Sequence, residues 1–465
     1  MSKKLLKSTF IYLIGNVFSR AITFFMLPLY TKYIIPADYG YYEVTLSYLT
    51  IVTSVLYLDI WNGILRFMYD KKDKYNVIHT GFIIFLISTS LYCLTLLLFK
   101  MIIGFDSFWL IFLYGIILNI TNMYTYINRG LGNNIVYVAS GLASVITTVI
   151  SNVILIIVFK FGYQSLYISA ILGFSTQIII LEFKSKLLIK IKKQNVNKQL
   201  LKQMIFFSLP LCINSLSYWL LSSFNKVYIS ESLGNYSAGI YSIAHKFSMI
   251  LTILLSCFML AWQETAFSIK TSMKKRGEYF SNVSNKYIKA LGCLVILILP
   301  AISIIFPYFI NIQYNEAKVL IPICIIGTIF SIFSTFLGTT FGNLKKTKTI
   351  TFSSIIGAIV TVIFTIFLTK SFGLMGANIA LSSGFFVTIL IRIFILKKFI
   401  PYKININQIF IFSFLLVIYS IVFNMNNWYN LIAFVFSTII FILFFKKDLC
   451  NIIKLINRRI KNGKK

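Results

Sequence analysis

Acidic residues are scarce: 12 Asp plus Glu stand against 44 Lys plus Arg in 465 positions, and charged residues of both signs amount to only 12%. A water-soluble surface needs about a quarter to a third of its residues charged, so a soluble globular protein is excluded. Histidine is almost missing. His79 and His245 are the only two, HExxH does not occur, and no His/Cys cluster has metal-ligand spacing, which excludes the common metallohydrolase patterns. Cys93, Cys212, Cys257, Cys293, Cys324 and Cys450 show no CxxC pair and fall mostly inside apolar runs, so they read as packing groups, with neither a disulfide framework nor a metal site.

Apolar residues fill the space. They make up 58% of the chain, with a mean hydropathy of +0.84, in runs long enough to cross a hydrocarbon core of ~30 Å. The expected fold is all-α, a polytopic membrane protein of about 14 transmembrane helices. The runs lie at roughly 10–31, 41–65, 77–99, 107–127, 135–158 and 163–183, then 203–225, 236–262, 287–311, 318–341, 349–369 and 373–395, then 407–424 and 428–445. Lys3, Lys4 and Lys7 before the first run imitate a signal peptide, but Arg20 in its middle and the lack of a small-residue cleavage site make it a retained span.

The excess of basic residues sets the orientation. With the N-terminus in the cytoplasm, 36 of the 44 fall in inside segments and six outside: Lys32, Lys100, Lys160, Lys226, Lys318 and Lys370. Both termini are therefore expected inside. A charge of +32 then reports topology, and no nucleic-acid partner is needed. Arg20 and Lys246 are the two basic residues left within spans.

The chain also resembles itself. Leu6-Lys7 matches Leu201-Lys202; Asp38-Tyr39-Gly40-Tyr41-Tyr42 falls opposite Ser237-Ala238-Gly239-Ile240-Tyr241; Phe161-Gly162-Tyr163 matches Phe372-Gly373-Leu374. Six helices separate the copies, so the halves run parallel and are related by an axis along the membrane normal. The expected units are an N-terminal six-helix lobe at 1–195, a C-terminal six-helix lobe at 196–400, and two added helices with a basic tail at 401–465, with the lobes enclosing a central cavity.

Leu-Ile-Gly-Asn-Val-Phe-Ser-Arg at 13–20, Leu27-Pro28-Leu29-Tyr30-Thr31-Lys32-Tyr33, Pro36-Ala37-Asp38-Tyr39-Gly40, Ala261-Trp262-Gln263 and Phe372-Gly373-Leu374-Met375-Gly376-Ala377 resemble the polysaccharide flippases. These are the Wzx-like oligosaccharide-lipid transporters of the multidrug/oligosaccharidyl-lipid/polysaccharide exporter superfamily. The resemblance covers about 400 residues. It implies two six-helix lobes, alternating access, and transfer of an undecaprenyl-diphosphate-linked glycan from the cytoplasmic to the outer leaflet of a bacterial membrane. Membrane lipids, a coupling ion and other polysaccharide-assembly proteins are the implied partners. Many members have twelve spans, and the extra pair here is similar to the lipid II flippases.

Ionisable groups deep in a span should face a cavity or a partner. Arg20 continues a polar stripe of Asn16, Ser19 and Thr23, and Asn214, Ser215 and Tyr218 hold the equivalent places in the second half. Lys246 stands beside His245. An Arg fork and a Lys point charge suit a diphosphate, so Arg20, Lys246, Asn16, Ser19, Thr23, Asn214, Tyr218 and His245 are the candidate substrate contacts, with a packed histidine or an intramembrane ion pair as the structural alternatives. Asp59, Asn62 and Arg66 share a face towards the inner end of 41–65; they gate the inner mouth, accept a coupling ion, or simply link Asp59 to Arg66. Glu264, after Trp262-Gln263, is a further gate candidate or an interfacial anchor.

No catalytic residue, metal ligand or cofactor is expected. A lipid II flippase is the nearest rival reading. A cation-coupled drug antiporter should place carboxylates where this chain places cations, and a polysaccharide polymerase or glycosyltransferase would lack a catalytic loop.

Overall fold

The computed structural model describes residues 21–70, 73–102, 104, 106–190, 197–269 and 271–462, with the side chains at 257, 260, 261, 264 and 445–462 outside that description. All regular elements among them are helical. Besides short helical turns at Ile154–Val158, Leu187–Lys190 and Ile312–Tyr314, they are in order α1 (Leu27–Tyr33), α2 (Pro36–Leu56), α3 (Ile60–Asp70), α4 (Lys74–Ile102), α5 (Phe108–Gly130), α6 (Asn134–Val153) and α7 (Gln164–Ser185), then α8 (Lys198–Ser222), α9 (Phe224–Ser268), α10 (Met273–Phe309), α11 (Ala317–Asn343), α12 (Thr347–Phe399), α13 (Ile406–Phe423) and α14 (Asn427–Asn462).

Among the described residues eleven helices are long and apolar enough to cross a membrane, or twelve when the bent pair α2 and α3 counts as one span. At 53 residues α12 would reach ~80 Å, more than two hydrocarbon cores, if it were straight. Gly373, at φ 56° and ψ −138°, breaks it, as Gly234 at φ 84° breaks α9. The two expected runs 349–369 and 373–395 are therefore the arms of α12. Residues 10–20 of the first expected run lie outside the description, and its second half is described as helix up to α1.

The internal repeat is visible in the backbone. Gly162 and Gly373, matched in the sequence, both take a left-handed φ, at 57° and 56°, a conformation open to glycine at no steric cost. The helix ends after α5 and α11 close with the same three bonds. Leu131 N donates to Ile127 O, Gly132 N to Arg129 O and Asn133 N to Asn128 O; Leu344 N donates to Thr340 O, Lys345 N to Gly342 O and Lys346 N to Phe341 O. Each partner is displaced by the same number of residues.

α2 packs along α9, α6 on α7, α11 on α12, and α13 and α14 both lie on α10. α8 touches both α12 and the pair α2 and α3, so it belongs to the contact between halves as much as to either. Turns at 34–35, 234 and 373 share one end of the bundle, where Tyr314 OH donates to Ile34 O at 2.8 Å. Turns at 131–133 and 344–346 share the other, where Lys74 Nζ reaches Gly130 O at 2.9 Å and Asn343 Nδ2 reaches Ala266 O at 2.7 Å. Under the orientation expected from the basic residues, the first end is the outer one.

Candidate functional site

The seam between halves begins as a contact without side chains. A Cβ on Gly40 would strike the carbonyl of Asn235, and a Cβ on Gly239 would strike the carbonyl of Pro36. Gly40 and Gly239 are matched in the repeat, and so are Pro36 and Asn235. Such reciprocity is the mark of a local two-fold axis, which passes between α2 and α9 at the end of the bundle that holds the turns at 34–35 and 234.

One turn further in, the seam becomes ionic. Glu43 of α2, only 4% exposed, places Oε2 at 2.6 Å from Lys226 Nζ and Oε1 at 2.8 Å from Lys246 Nζ, both on α9. Tyr39 OH donates to Oε1 at 3.2 Å. A buried carboxylate costs several kcal/mol in desolvation unless it is paired and its lone pairs are filled, and here three donors fill them. The cluster still carries one positive charge in excess.

The second site lies at the break between α2 and α3. Leu58 and Asp59 take left-handed φ values of 51° and 49°, the ladder passes from Tyr57 N–Thr53 O to Ile60 N–Tyr57 O, and the two helices meet at 46°. Two consecutive left-handed L-residues carry a steric cost of ~1 to 2 kcal/mol each. Asp59 is 7% exposed, and its Oδ2 accepts a short hydrogen bond from Ser215 of α8. Cys212 Sγ and Trp219 Nε1 fasten the same helix to Ser54 O and Ser47 O.

The structure sorts the expected residues. Lys246 is half-buried and paired with Glu43, an acidic partner that the reading of basic residues alone passed over. Glu43 lies inside the apolar run 41–65, so the depth argument applied to Lys246 applies equally to it. Lys226, counted among the outside segments, is a member of the same cluster. His245 does not face Glu43 through a bond; its Nε2 pairs with Asn378 Oδ1 at 2.9 Å, and its ring lies 4.3 Å from that of Tyr241. Asn214, Tyr218 and Thr23 are exposed, while Ser215 turns to Asp59.

The simple Asp59 to Arg66 link is not formed. The break swings α3 away from the helical register that linked them, and Arg66 pairs with Asp70 at 3.1 Å on an exposed face. Trp262, the aromatic neighbour of Glu264, is 4% exposed and stacks on Phe336 at 4.9 Å. The side chain of Glu264, and Arg20, Asn16 and Ser19 altogether, lie outside the described residues. Arg392, assigned to an inside segment, is buried on α12, where Nε, NH1 and NH2 reach the hydroxyls of Ser353, Ser334 and Ser354 and the carbonyls of Ser334 and Ile350. No three His, Cys, Asp or Glu side chains among the described residues group as a metal site.

Residues 5–262 match the family described as polysaccharide biosynthesis protein, and the chain belongs to that family. No curated protein matches it. Its fold is shared with solved transporters. A structure of the lipid II flippase MurJ in an inward closed conformation is 17% identical with a TM-score of 0.60, over 94% of this chain and 99% of that one. A multidrug resistance MATE family transporter of the MOP superfamily is 14% identical with a TM-score of 0.62 when inward-facing, over 82% of this chain and 99% of that one. The outward-facing form gives 15% and 0.58, over 84% and 96%. The protein is a multi-pass membrane protein with the MOP transporter fold, and the two helices at its C-terminal end are consistent with the wider coverage by the lipid II flippase.

Proposed function

We propose that this protein is a flippase for undecaprenyl-diphosphate-linked oligosaccharides, moving repeat units of a surface polysaccharide such as O-antigen or capsule from the cytoplasmic to the outer leaflet by alternating access. The observation that carries the reading is the pair of ammonium groups, Lys226 and Lys246, set in the seam between the halves with one carboxylate between them. A membrane chain bears the cost of intramembrane cations where they meet an anion, and a diphosphate supplies one with several acceptor oxygens. The family of polysaccharide biosynthesis proteins and the transporter fold support the same reading and give no support to an enzyme.

The moving bodies are 1–195 and 196–400, with 401–465 riding on α10. Arg20 is a third phosphate contact, Asn16, Ser19, Thr23, Asn214 and Tyr218 line the polar path, and His245 holds the C-terminal half in shape beside it. Asp59 with Ser215 fastens the inner mouth and takes the coupling ion; Arg66 and Glu264 stand at the same mouth. The protein sits in the bacterial cytoplasmic membrane with both termini inside, beside other polysaccharide-assembly proteins.

The test is reconstitution. Proteoliposomes containing the protein should move a fluorescent undecaprenyl-diphosphate oligosaccharide between leaflets, and cells lacking it should accumulate intact units on the inner leaflet. Loss of the lipid-linked unit itself in such cells, with the glycosyltransferases active, would favour an enzyme that builds it.

A further inference from the structure

The cluster at the seam has an unequal composition. Counting from the matched glycines, Glu43 corresponds to Ser242 and Lys246 to Ser47, so the two sides of a nearly symmetric contact carry unlike chemistry, an anion on one half and cations on the other. Each carboxylate oxygen holds its own ammonium group, at 2.6 and 2.8 Å, much as two oxygens of one phosphate group would. The carboxylate is sealed, with 5% of its side chain exposed, whereas Lys226 and Lys246 keep 21% and 24%. The cations are thus open to a second anion while the first remains covered.

We propose that Glu43 is a built-in stand-in for the substrate diphosphate: it occupies Lys226 and Lys246 while the carrier is empty, and the arriving diphosphate takes both ammonium groups from it and unlocks the outer seam. The inference rests on the flippase reading above. A diphosphate carries more negative charge than a carboxylate, so it wins the two cations and then repels the displaced Glu43. Glu43 and the lysines belong to opposite halves, and the adjoining Gly40 and Gly239 contact holds only through close backbone packing. Release of Glu43 therefore removes the ionic fastening at that end, and substrate binding becomes the trigger for opening outward.

Inorganic pyrophosphate is the probe, applied to the full chain in nanodiscs. Ala238 is 0% exposed and packs in the cluster with Val44 of α2, so an Ala238→Cys reporter in a background without other cysteines reads the seam by its rate of maleimide labelling. In the otherwise unchanged protein, pyrophosphate should speed labelling about tenfold. Glu43→Gln should label fast without pyrophosphate and bind it at least ~10-fold more tightly, because the competitor is gone. Lys226→Gln leaves a balanced Lys246–Glu43 pair that needs no refolding; it should bind pyrophosphate at least ~10-fold more weakly and lose the acceleration. This second variant decides the matter if Glu43→Gln does not fold.

Pyrophosphate binding that is unchanged in the folded variants, or a labelling rate indifferent to pyrophosphate, overturns the proposal. The two readings fail separately. A seam that answers pyrophosphate in a protein unable to flip lipid-linked oligosaccharide upholds the stand-in and removes the flippase, whereas flipping with an indifferent seam removes only the stand-in.

Discussion

Gly173 of the N-terminal half lies against Thr148 and Ser144, and Gly384 of the C-terminal half lies against Thr361 and Gly357, the same contact made at matched places between α6 and α7 and between the arms of α12. The polar groups inside these similar frames are treated very differently. In the C-terminal half Arg392 is 4% exposed with all three of its nitrogens bonded, tying α11 and both arms of α12, and His245, Asn378 and Cys324 form a bonded group further along the arm that carries Arg392. In the N-terminal half the matched place holds Leu181, which offers no polar group, and buried oxygens without a hydrogen-bond partner occur in both halves, at Tyr92 and Asn152 in the first and at Ser242, Tyr287 and Thr340 in the second. Such atoms cost ~1 to 3 kcal/mol apiece in either half, and the broken helix α2 to α3 adds strain in the N-terminal one. One half is tied together by a buried arginine, and the other carries two left-handed residues at the α2 to α3 break.

The largest effect should come from removing the brace. Arg392→Ala leaves three serines and two carbonyls without their donor in a sealed core, and a loss of ~3 to 5 kcal/mol is expected, read as a fall in folded protein by detergent size-exclusion and thermal unfolding. The matched residue of the other half is Leu181, whose truncation to Ala should cost ~2 to 4 kcal/mol by cavity formation. Equal losses at both positions would break the contrast between the halves.

Next comes the seam. Gly239→Ala forces a methyl group onto the Pro36 carbonyl, and overpacking of ~1 to 3 kcal/mol should part the outer ends while leaving the braced half folded; faster cysteine labelling at the seam is the readout. Lys246→Ala removes a charge-assisted contact worth ~1.5 to 3 kcal/mol to the substrate, yet Glu43 keeps Lys226, so flipping should fall at unchanged abundance. Arg20→Ala should behave likewise, with Arg20→Lys retaining more activity, since charge survives while the planar fork is lost. Full flipping by both Ala variants would remove these residues from the substrate path. The smallest effect, ~1 kcal/mol, is expected of Ser215→Ala, which deprives Asp59 of its hydroxyl; inner-mouth accessibility measured on both variants should rise more for Asp59→Asn than for Ser215→Ala.

Much of the architecture was legible because it rests on signals local in the chain. Alternating basic segments, the Gly162 and Gly373 turns and the pairing of Gly40 with Gly239 could all be found by comparing the sequence with itself. The site was legible only in part. Lys246 stood out by its depth, but the same argument was not turned on Glu43, and Lys226 was hidden because a lysine near a span end looks like topology. Arg392 was hidden for the same reason. Asp59 was picked out with the wrong partner, since spacing along an ideal helix says nothing about a break, and neither Leu58 nor Asp59 announces a left-handed pair.

The two fastenings stand ~20 Å apart along α2, with Glu43 towards one end and Asp59 just beyond the other. Both grip α8 or α9, on the far side of the same seam. Both fastenings are closed in this structure, and a rod that rocks about a fulcrum between them moves its ends in opposite senses, so releasing Glu43 from its lysines presses Asp59 towards Ser215, and the reverse. The lengths of helix on either side of the pivot then work as a seesaw, which keeps both mouths from standing open together.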